Sequence, residues 1–412
     1  MSHNNFSMSH WILIIITFHS ITMASLQEEI PKMSLAVDSC CQFSSKFHRA
    51  IAQKVRDNIV DSPLGIHLVL SYLFHGSNNH TAEEIKAGLS LFNTDQLHLE
   101  YGEIMKSLNS IISVELSMTN GIFLQEGVQL YKTFHSRGIE FYNFTIENLD
   151  FRDNVRSTEK INSWVFKNTN NKIKNIVSSD EIDESTKVIL AGAVYFKAQW
   201  RQRFDPTKTE KKIFHATKTR NNKVDTMFKE YKYRQGEIPS LNCRFIEIPY
   251  MNGDIDMVIL LPNEIEGLKD VEENFDWSTV VNAKSSTRLT RLYLPKFKIE
   301  ATIDLKDTLI ELGFTSMFED NADLTKMSYT PLKVDKVVQK AFIDVDEDGT
   351  EAAATTVVQM RLKRSLVAMD EIPDEFIVDR PFIAAVRHVS NNIPLFFSSI
   401  RDIGTTLEKD EL

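Results

Sequence analysis

Residues 344–364 read DVDEDGTEAAATTVVQMRLKR, a stretch that resembles a calcium loop at its front, a linker in its middle and a processing site at its end. An EF-hand loop places oxygen ligands at positions 1, 3 and 5, glycine at 6 and a bidentate Glu at 12. Asp344, Asp346, Asp348 and Gly349 satisfy the first four, but position 12 is Thr355, and the incoming VVQKAFIDV has strand character. No calcium site is expected. Strand parity gives the middle another meaning. One face carries Thr350, Ala352, Ala354, Thr356, Val358, Met360 and Leu362; the other carries Glu351, Ala353, Thr355, Val357, Gln359 and Arg361. All charge falls on the second face, and the first is small at its start and apolar at its end, the period-2 signature of a strand with one buried face. Yet the segment leads directly into the basic tetrapeptide RLKR, which belongs on a surface. Two conformations are implied, with Gly349 as pivot.

On either side of this stretch the chain changes texture. Apolar Phe43, Phe47, Ile51 and Val55 recur every four residues and predict an amphipathic helix, and Asp61-Ser62-Pro63 opens a second helix over IHLVLSYLFHG. Further helical patterns lie in AEEIKAGLSLF and LEYGEIMKSLNSI, and SWVFKNTNNKIKNIV begins as another helix and breaks in an Asn-rich turn. KVILAGAVYF is a continuous apolar run suited to a strand buried on both faces. RFIEIPY and DIDMVILLP flank Asn252-Gly253, a hairpin turn signal. RLYLPKFKIEA, VDKVVQKAFIDV, PFIAAVRHV and IPLFFSSI read as strands. Helices come mostly early and strands mostly late, without a βαβ rhythm, so the class is α+β. No repeat or linker divides the chain, and residues 25–412 read as a single domain.

The 412 residues are 42% hydrophobic and 25% charged with net charge −10, which excludes general attraction to nucleic acid. The cluster TKTEKKIFHATKTRNNK reads as a solvated face. Trp11 to Phe18 form an apolar core ahead of Thr22-Met23-Ala24, the pattern of a signal peptide over residues 1–24; no other stretch is apolar enough for a membrane span. The carboxyl end, Lys409-Asp410-Glu411-Leu412, matches a lumenal retrieval signal read by a receptor, so the expected location is the lumen of the endoplasmic reticulum, with some secretion. Asn79 and Asn143 head glycosylation sequons. Cys40, Cys41 and Cys243 are too few for a disulfide framework and read as free thiols. Hydrolase, zinc, phosphate-loop and dinucleotide motifs are absent, so neither catalysis nor a cofactor or metal is expected.

With these residues in place, the chain resembles the serpins. EDGTEAAATT, preceded by VVQKAFIDVD, is similar to the hinge of the serpin reactive-centre loop; DSPLGIHLVLSYL, INSWVFKNTNNKIKNIV, VILAGAVYFKAQW, RLYLPKFKIEATIDLKDTLIELGFTSMF and FIVDRPFIAAVRH follow in the family's order. The resemblance implies helices around three β-sheets, with an exposed loop over about residues 347–375. It also implies a monomeric inhibitor that forms a covalent 1:1 complex: a protease attacks the loop, and the cut loop inserts into the main sheet as a new strand. Glu347, Gly349, Thr350, Glu351, Ala352, Ala353, Ala354, Thr355 and Thr356 then form the hinge, whose small residues let the first inserted side chains enter without burying an unpaired charge. Where the family carries Ser, Asn and His in the shutter beneath the sheet, this chain keeps Ser62 but has Gly65, Gly192 and Gln339 at the other matching positions. Asp61 stands where an aromatic is common.

The bait reads Arg361-Leu362-Lys363-Arg364 before Ser365, the R-x-[K/R]-R pattern of furin-like proprotein convertases, whose acidic pockets pair with basic groups. Cleavage at Arg364–Ser365 is expected, although the family's loop length counted from Gly349 places the reactive bond after Lys363. Trypsin-like proteases, which accept Lys or Arg, and a non-inhibitory lumenal role are the alternatives.

Overall fold

The computed structural model describes residues 34–91, 94, 96–111, 114–350 and 372–404. From the amino-terminal end it forms α1 (Leu35–Lys54), β1 (Ile59–Asp61), α2 (Pro63–Gly76), α3 (Asn79–Gly88), α4 (Leu97–Asn109), β2 (Val114–Gln125), α5 (Lys132–Tyr142), β3 (Phe144–Leu149), α6 (Asn154–Asn168) and β4 (Val188–Gln199). β5 (Glu210–His215), β6 (Asn221–Ile238), β7 (Cys243–Pro249), β8 (Ile255–Pro262), α7 (Leu268–Glu273), α8 (Trp277–Val281), β9 (Ser285–Pro295) and β10 (Phe297–Asp304) follow. The chain continues through α9 (Lys306–Glu311), β11 (Lys336–Val345), β12 (Gly349–Thr350), β13 (Asp374–Ile377), β14 (Phe382–His388) and β15 (Pro394–Ile400).

Hydrogen bonding joins the described strands into two sheets. The smaller runs β10-β11-β12-β4-β2-β3, and the larger runs β1-β15-β14-β8-β7-β6-β9-β13, with β5 on β6. The three expected sheets appear when the larger one is divided at the long β6, which pairs with β7 through its last residues and with β9 along most of its length. The expected single strand RLYLPKFKIEA is two: β9 ends at Pro295, and β10 starts at Phe297 in the other sheet. Proline lacks the donor a ladder needs, so the chain changes sheets there. The segment expected to be a solvated face contains β5 and the start of β6. Its exposed lysines and asparagines hide a strand whose inward positions are Phe214 and Val224.

β4 bears out the reading of a strand covered on both sides. Leu190, Val194, Phe196 and Ala198 join the main core, where α2 packs. Ile189, Ala191, Ala193 and Tyr195 join a second core with Ile161, Trp164 and Val165 of α6. Covering both faces removes the polar alternation an exposed sheet face would impose. α2 begins at the Ser62 cap with Pro63 in its first turn, as its sequence predicts. The predicted hairpin joins β7 to β8, with Gly253 at φ +79°.

Candidate functional site: the hinge and the shutter

The site is the seam between β4 and β11. These strands pair in parallel from Lys336–Ile189 to Phe342–Tyr195. Beyond that point β12 separates them: Thr350 pairs with Val345 on one side and Ala198 on the other, and Gly349 pairs with Gln199. The start of the hinge is therefore already a strand of the sheet. Thr350 is 0% exposed and shares a 2.8 Å hydrogen bond with the hydroxyl of Tyr250, whose ring stacks on Trp200. At Gly349 a Cβ would lie 2.0 Å from the carbonyl oxygen of Ala198, so only glycine fits.

A turn delivers the chain to this position. The Asp346 carboxylate accepts from the backbone N–H of Asp348 and Gly349, and the Asp346 carbonyl accepts from Trp200 Nε1 at 2.9 Å. Lys296 donates to Glu347 at 2.7 Å, as does the Thr209 hydroxyl. Burial opposes ionisation of Glu347, yet these donors outweigh it and hold its carboxyl below the ordinary value. The carboxylates that imitated a calcium loop face separate partners: Asp344 lies 3.6 Å from Lys298, Asp348 3.2 Å from Arg203, and Asp346 caps the turn.

The shutter residues meet lower on the same seam. Gln339 on β11 pairs with Gly192 on β4, and its side-chain amide clamps Ser62: Oε1 accepts from Ser62 N at 2.9 Å, and Nε2 donates to Ser62 O at 2.8 Å. The Ser62 hydroxyl donates to Leu395 O at 2.7 Å and lies 3.4 Å from Gly65 N, which donates to it. All four expected shutter positions thus converge, with Gly65 close under Gln339.

Two partners of these positions were missed from the sequence. Asn120 on β2 pairs with Gly192 from the far side, 1% exposed, with its Oδ1 3.1 Å from where a Gly192 Cβ would stand. Its signal was weak, a polar residue entering the apolar strand GIFL. His48 explains the unusual Asp61: its Nδ1 lies 2.6 Å from Asp61 Oδ2, and its Nε2 lies 3.1 Å from Ser399 Oγ. No sequence spacing links the three. The arrangement mimics a hydrolase triad, but all three residues are 0% exposed, so no substrate can reach them. Burial pushes the Asp61 carboxyl up against the pull of His48.

Glu351 through Thr356, the bait Arg361, Lys363 and Arg364 with Ser365, the signal segment 1–24 and the tail Lys409–Leu412 lie outside the described residues. Asn79 and Asn143 are exposed, the first donating to Asp323 and the second capping α5. Cys40, Cys41 and Cys243 are free thiols, and burial raises Cys41 and Cys243 to about 12.

Comparison with known proteins accords with this geometry. A family model described as serpin (serine protease inhibitor) matches residues 38–403. The chain is 31% identical to Antitrypsin of Bombyx mori over 378 residues, covering 90% of this chain and 96% of that one. It is 30% identical to Alaserpin of Manduca sexta, covering 93% and 98%. A crystal structure of Serpin48, a highly specific serpin in the insect Tenebrio molitor, superposes with TM-score 0.83 at 29% identity over 92% of this chain and 100% of that one. The bare expectation of no enzyme is replaced by a positive description, that of a family of enzyme inhibitors. A seam already parted by its own hinge, a shutter beneath it and these matches have one meaning: the chain belongs to the serpins.

Proposed function

We propose that this serpin is a suicide inhibitor of furin-like proprotein convertases in the secretory pathway, cleaved at Arg364–Ser365. The observation that carries the inhibitory part is Thr350, buried between β4 and β11 at the start of the loop. Continued, its register would pair Ala352 with Phe196, Ala354 with Val194 and Thr356 with Gly192, all on the face toward α2, and Glu351 with Lys197 on the other. A segment with that pattern enters the sheet without burying a charge.

In the proposed reaction the protease serine Oγ attacks the carbonyl carbon of Arg364. An ester forms, the peptide bond to Ser365 breaks, and the released amine takes a proton. Loop insertion then carries the acyl-enzyme away from its working geometry before water completes the cycle. Convertase choice rests on Arg361, Lys363 and Arg364, whose cations match acidic subsites. The signal segment and the Lys409–Leu412 address would bring the inhibitor to the compartment where convertases mature. Inhibition of trypsin-like proteases is the second reading, favoured by the loop count that puts the reactive bond after Lys363 and by the relative named Antitrypsin.

Parallel titration of furin and trypsin tests the proposal. Furin should form an SDS-stable complex, and Arg361→Ala should slow furin trapping about 10- to 100-fold, the loss of one charge-assisted pair, while sparing trypsin. The released carboxyl-terminal fragment should begin at Ser365. Cleavage of the chain by furin without a stable complex, or a fragment that begins at Arg364, would refute the furin reading.

A further inference from the structure

Three buried polar atoms without a hydrogen-bond partner gather around the end of α2 that lies away from Ser62. They are Nε2 of His75 in the last turn of α2, Nδ1 of His98 in the first turn of α4, and the hydroxyl of Tyr142 at the end of α5. A buried polar atom left unpaired costs stability and is rare in native proteins, so three together mark a place suited to a polar occupant. The two imidazoles are spaced for one. Their ring centroids are 5.8 Å apart and their planes stand at 84°, which lets each ring aim an in-plane lone pair at one point between them. Metal–nitrogen bonds of about 2.0–2.1 Å put the centroids of two imidazoles on one ion about 5 to 6.5 Å apart, and the pair falls within that range. Consecutive residues of α5 hold the rings: Tyr142 lies edge-on to His75 at 6.3 Å, and Phe141 lies edge-on to His98 at 4.9 Å.

We propose that His75 and His98 are the two protein ligands of a divalent-metal site, of the class that takes Zn²⁺, pinning the end of α2 to the start of α4. Imidazole nitrogen is a zinc donor, and only the neutral ring binds. Burial holds His75 down to about 4, with His98, Arg137 and Lys326 adding to the effect. Burial and Arg137 also lower His98, against the pull of Glu140. Both rings are therefore neutral near pH 7, the form a metal requires. Among the described residues no cluster of three metal ligands is assembled, so water completes the shell. The Tyr142 hydroxyl, kept protonated by burial, is a partner for such a water. The Glu140 charge on α5 favours a cation here. Arg137 of α5 and Lys326, whose backbone N–H donates to Gly76 O at 3.1 Å, oppose it. Mixed charge and a shell shared with water set a reversible hold on the ion, unlike that of a closed four-ligand site. The site is independent of the loop and of the inhibitory reading.

The experiment titrates the chelator-treated chain with ZnCl₂ by calorimetry and follows thermal unfolding alongside. The tightest binding should saturate at one ion per chain, and saturating zinc should raise the melting temperature by about 2 °C. His75→Gln and His98→Gln should each weaken binding at least about 10-fold and erase the zinc-dependent shift. Either variant can report alone if the other fails to fold. His135→Gln, on α5 but outside the pair, should bind zinc as wild type does. Affinity should hold between about pH 7.5 and about pH 6, because both rings are already neutral, whereas ordinary surface imidazoles would lose the ion to protons over that range. Absence of saturable binding, undiminished binding in a folded His75→Gln or His98→Gln chain, or loss of the ion between those pH values overturns the proposal. Any of these results leaves the three unpaired atoms to a buried water.

Discussion

The two ends of the seam between β4 and β11 are prepared differently. At the upper end β12 has separated the strands, Thr350 occupies its buried place, and Trp200, Lys296, Thr209 and Arg203 hold the approach to it. At the shutter the strands still pair, and Gln339 fastens β11 to the cap of α2. On the loop-insertion reading proposed above, entry is already made and the resistance to further insertion lies at the shutter. Loop-insertion inhibitors need this asymmetry: an end that guides the new strand into register, and a closure that holds until cleavage frees the loop.

The largest test breaks the prepared end. Thr350→Arg would place a guanidinium where a hydroxyl is fully buried against Tyr250. An unpaired buried charge costs several kcal/mol, so the arginine should stay out of the sheet and stall insertion. Trapping of trypsin should fall at least about 100-fold, with the variant cleaved as a substrate. Retention of stable complexes by Thr350→Arg would mean that the seated hinge does not lead insertion.

Acid should separate α2 from the hinge, since their titrating groups lose their contributions in different pH windows. His67 lies on α2, fully buried, and its ring is held in one tautomer by a relay: Ser71 donates to Tyr101, Tyr101 to Nδ1, Nε2 to Ser39, and Ser39 to Leu89 O. Burial lowers His67 to about 3, so below pH 6.5 the unfolded chain takes a proton that the native one refuses. Its contribution is complete above about 6.5 and is lost as pH falls, at about 1.4 kcal/mol per unit. Glu347 loses its contribution in the same direction but in a lower window: its carboxyl is held below 4.5, so its support of the hinge is kept above that value and lost only beneath it. Between pH 6.5 and 5, native stability should drop while the hinge contacts persist, and His67→Gln should flatten the slope. An unchanged slope in that variant would assign the acid sensitivity elsewhere.

Much of this was legible along the chain, and the remainder shows what a linear reading lacks. Thr350, Ala352 and Ala354 declared their buried face by parity alone, and the run VILAGAVYF announced a strand covered on both sides. β5 and β6 were obscured because edge positions carry lysine and asparagine outward while Phe214, Val224 and Met227 pack inward. The His48–Asp61–Ser399 cluster and the Asn120–Gly192–Gln339 row unite residues far apart in the chain, and nothing local marks them. Asp61 looked anomalous precursor to a cap until its partner on α1 was in view. Gly192 looked like a lost shutter side chain until Asn120 was found with its Oδ1 3.1 Å from where a Cβ would stand.

The smallest effect belongs to the clamp itself. Gln339→Leu keeps approximate volume on β11 but removes both hydrogen bonds to Ser62, whose N–H has no other acceptor in the closed sheet and whose carbonyl keeps a 3.4 Å bond from Ile66. One buried donor left unpaired costs about 1–3 kcal/mol, part of which the apolar side chain recovers by burial against α2. The intact chain should melt about 2 °C lower and polymerise faster on warming, because β4 and β11 then part without a cleaved loop to fill the gap. The cleaved chain should change less, since in it the strands have already separated at this row. Equal losses in both states would show that Gln339 holds α2 in place and not the seam, and the closed half of the comparison would have to be sought in the packing of α6 over β2 and β4.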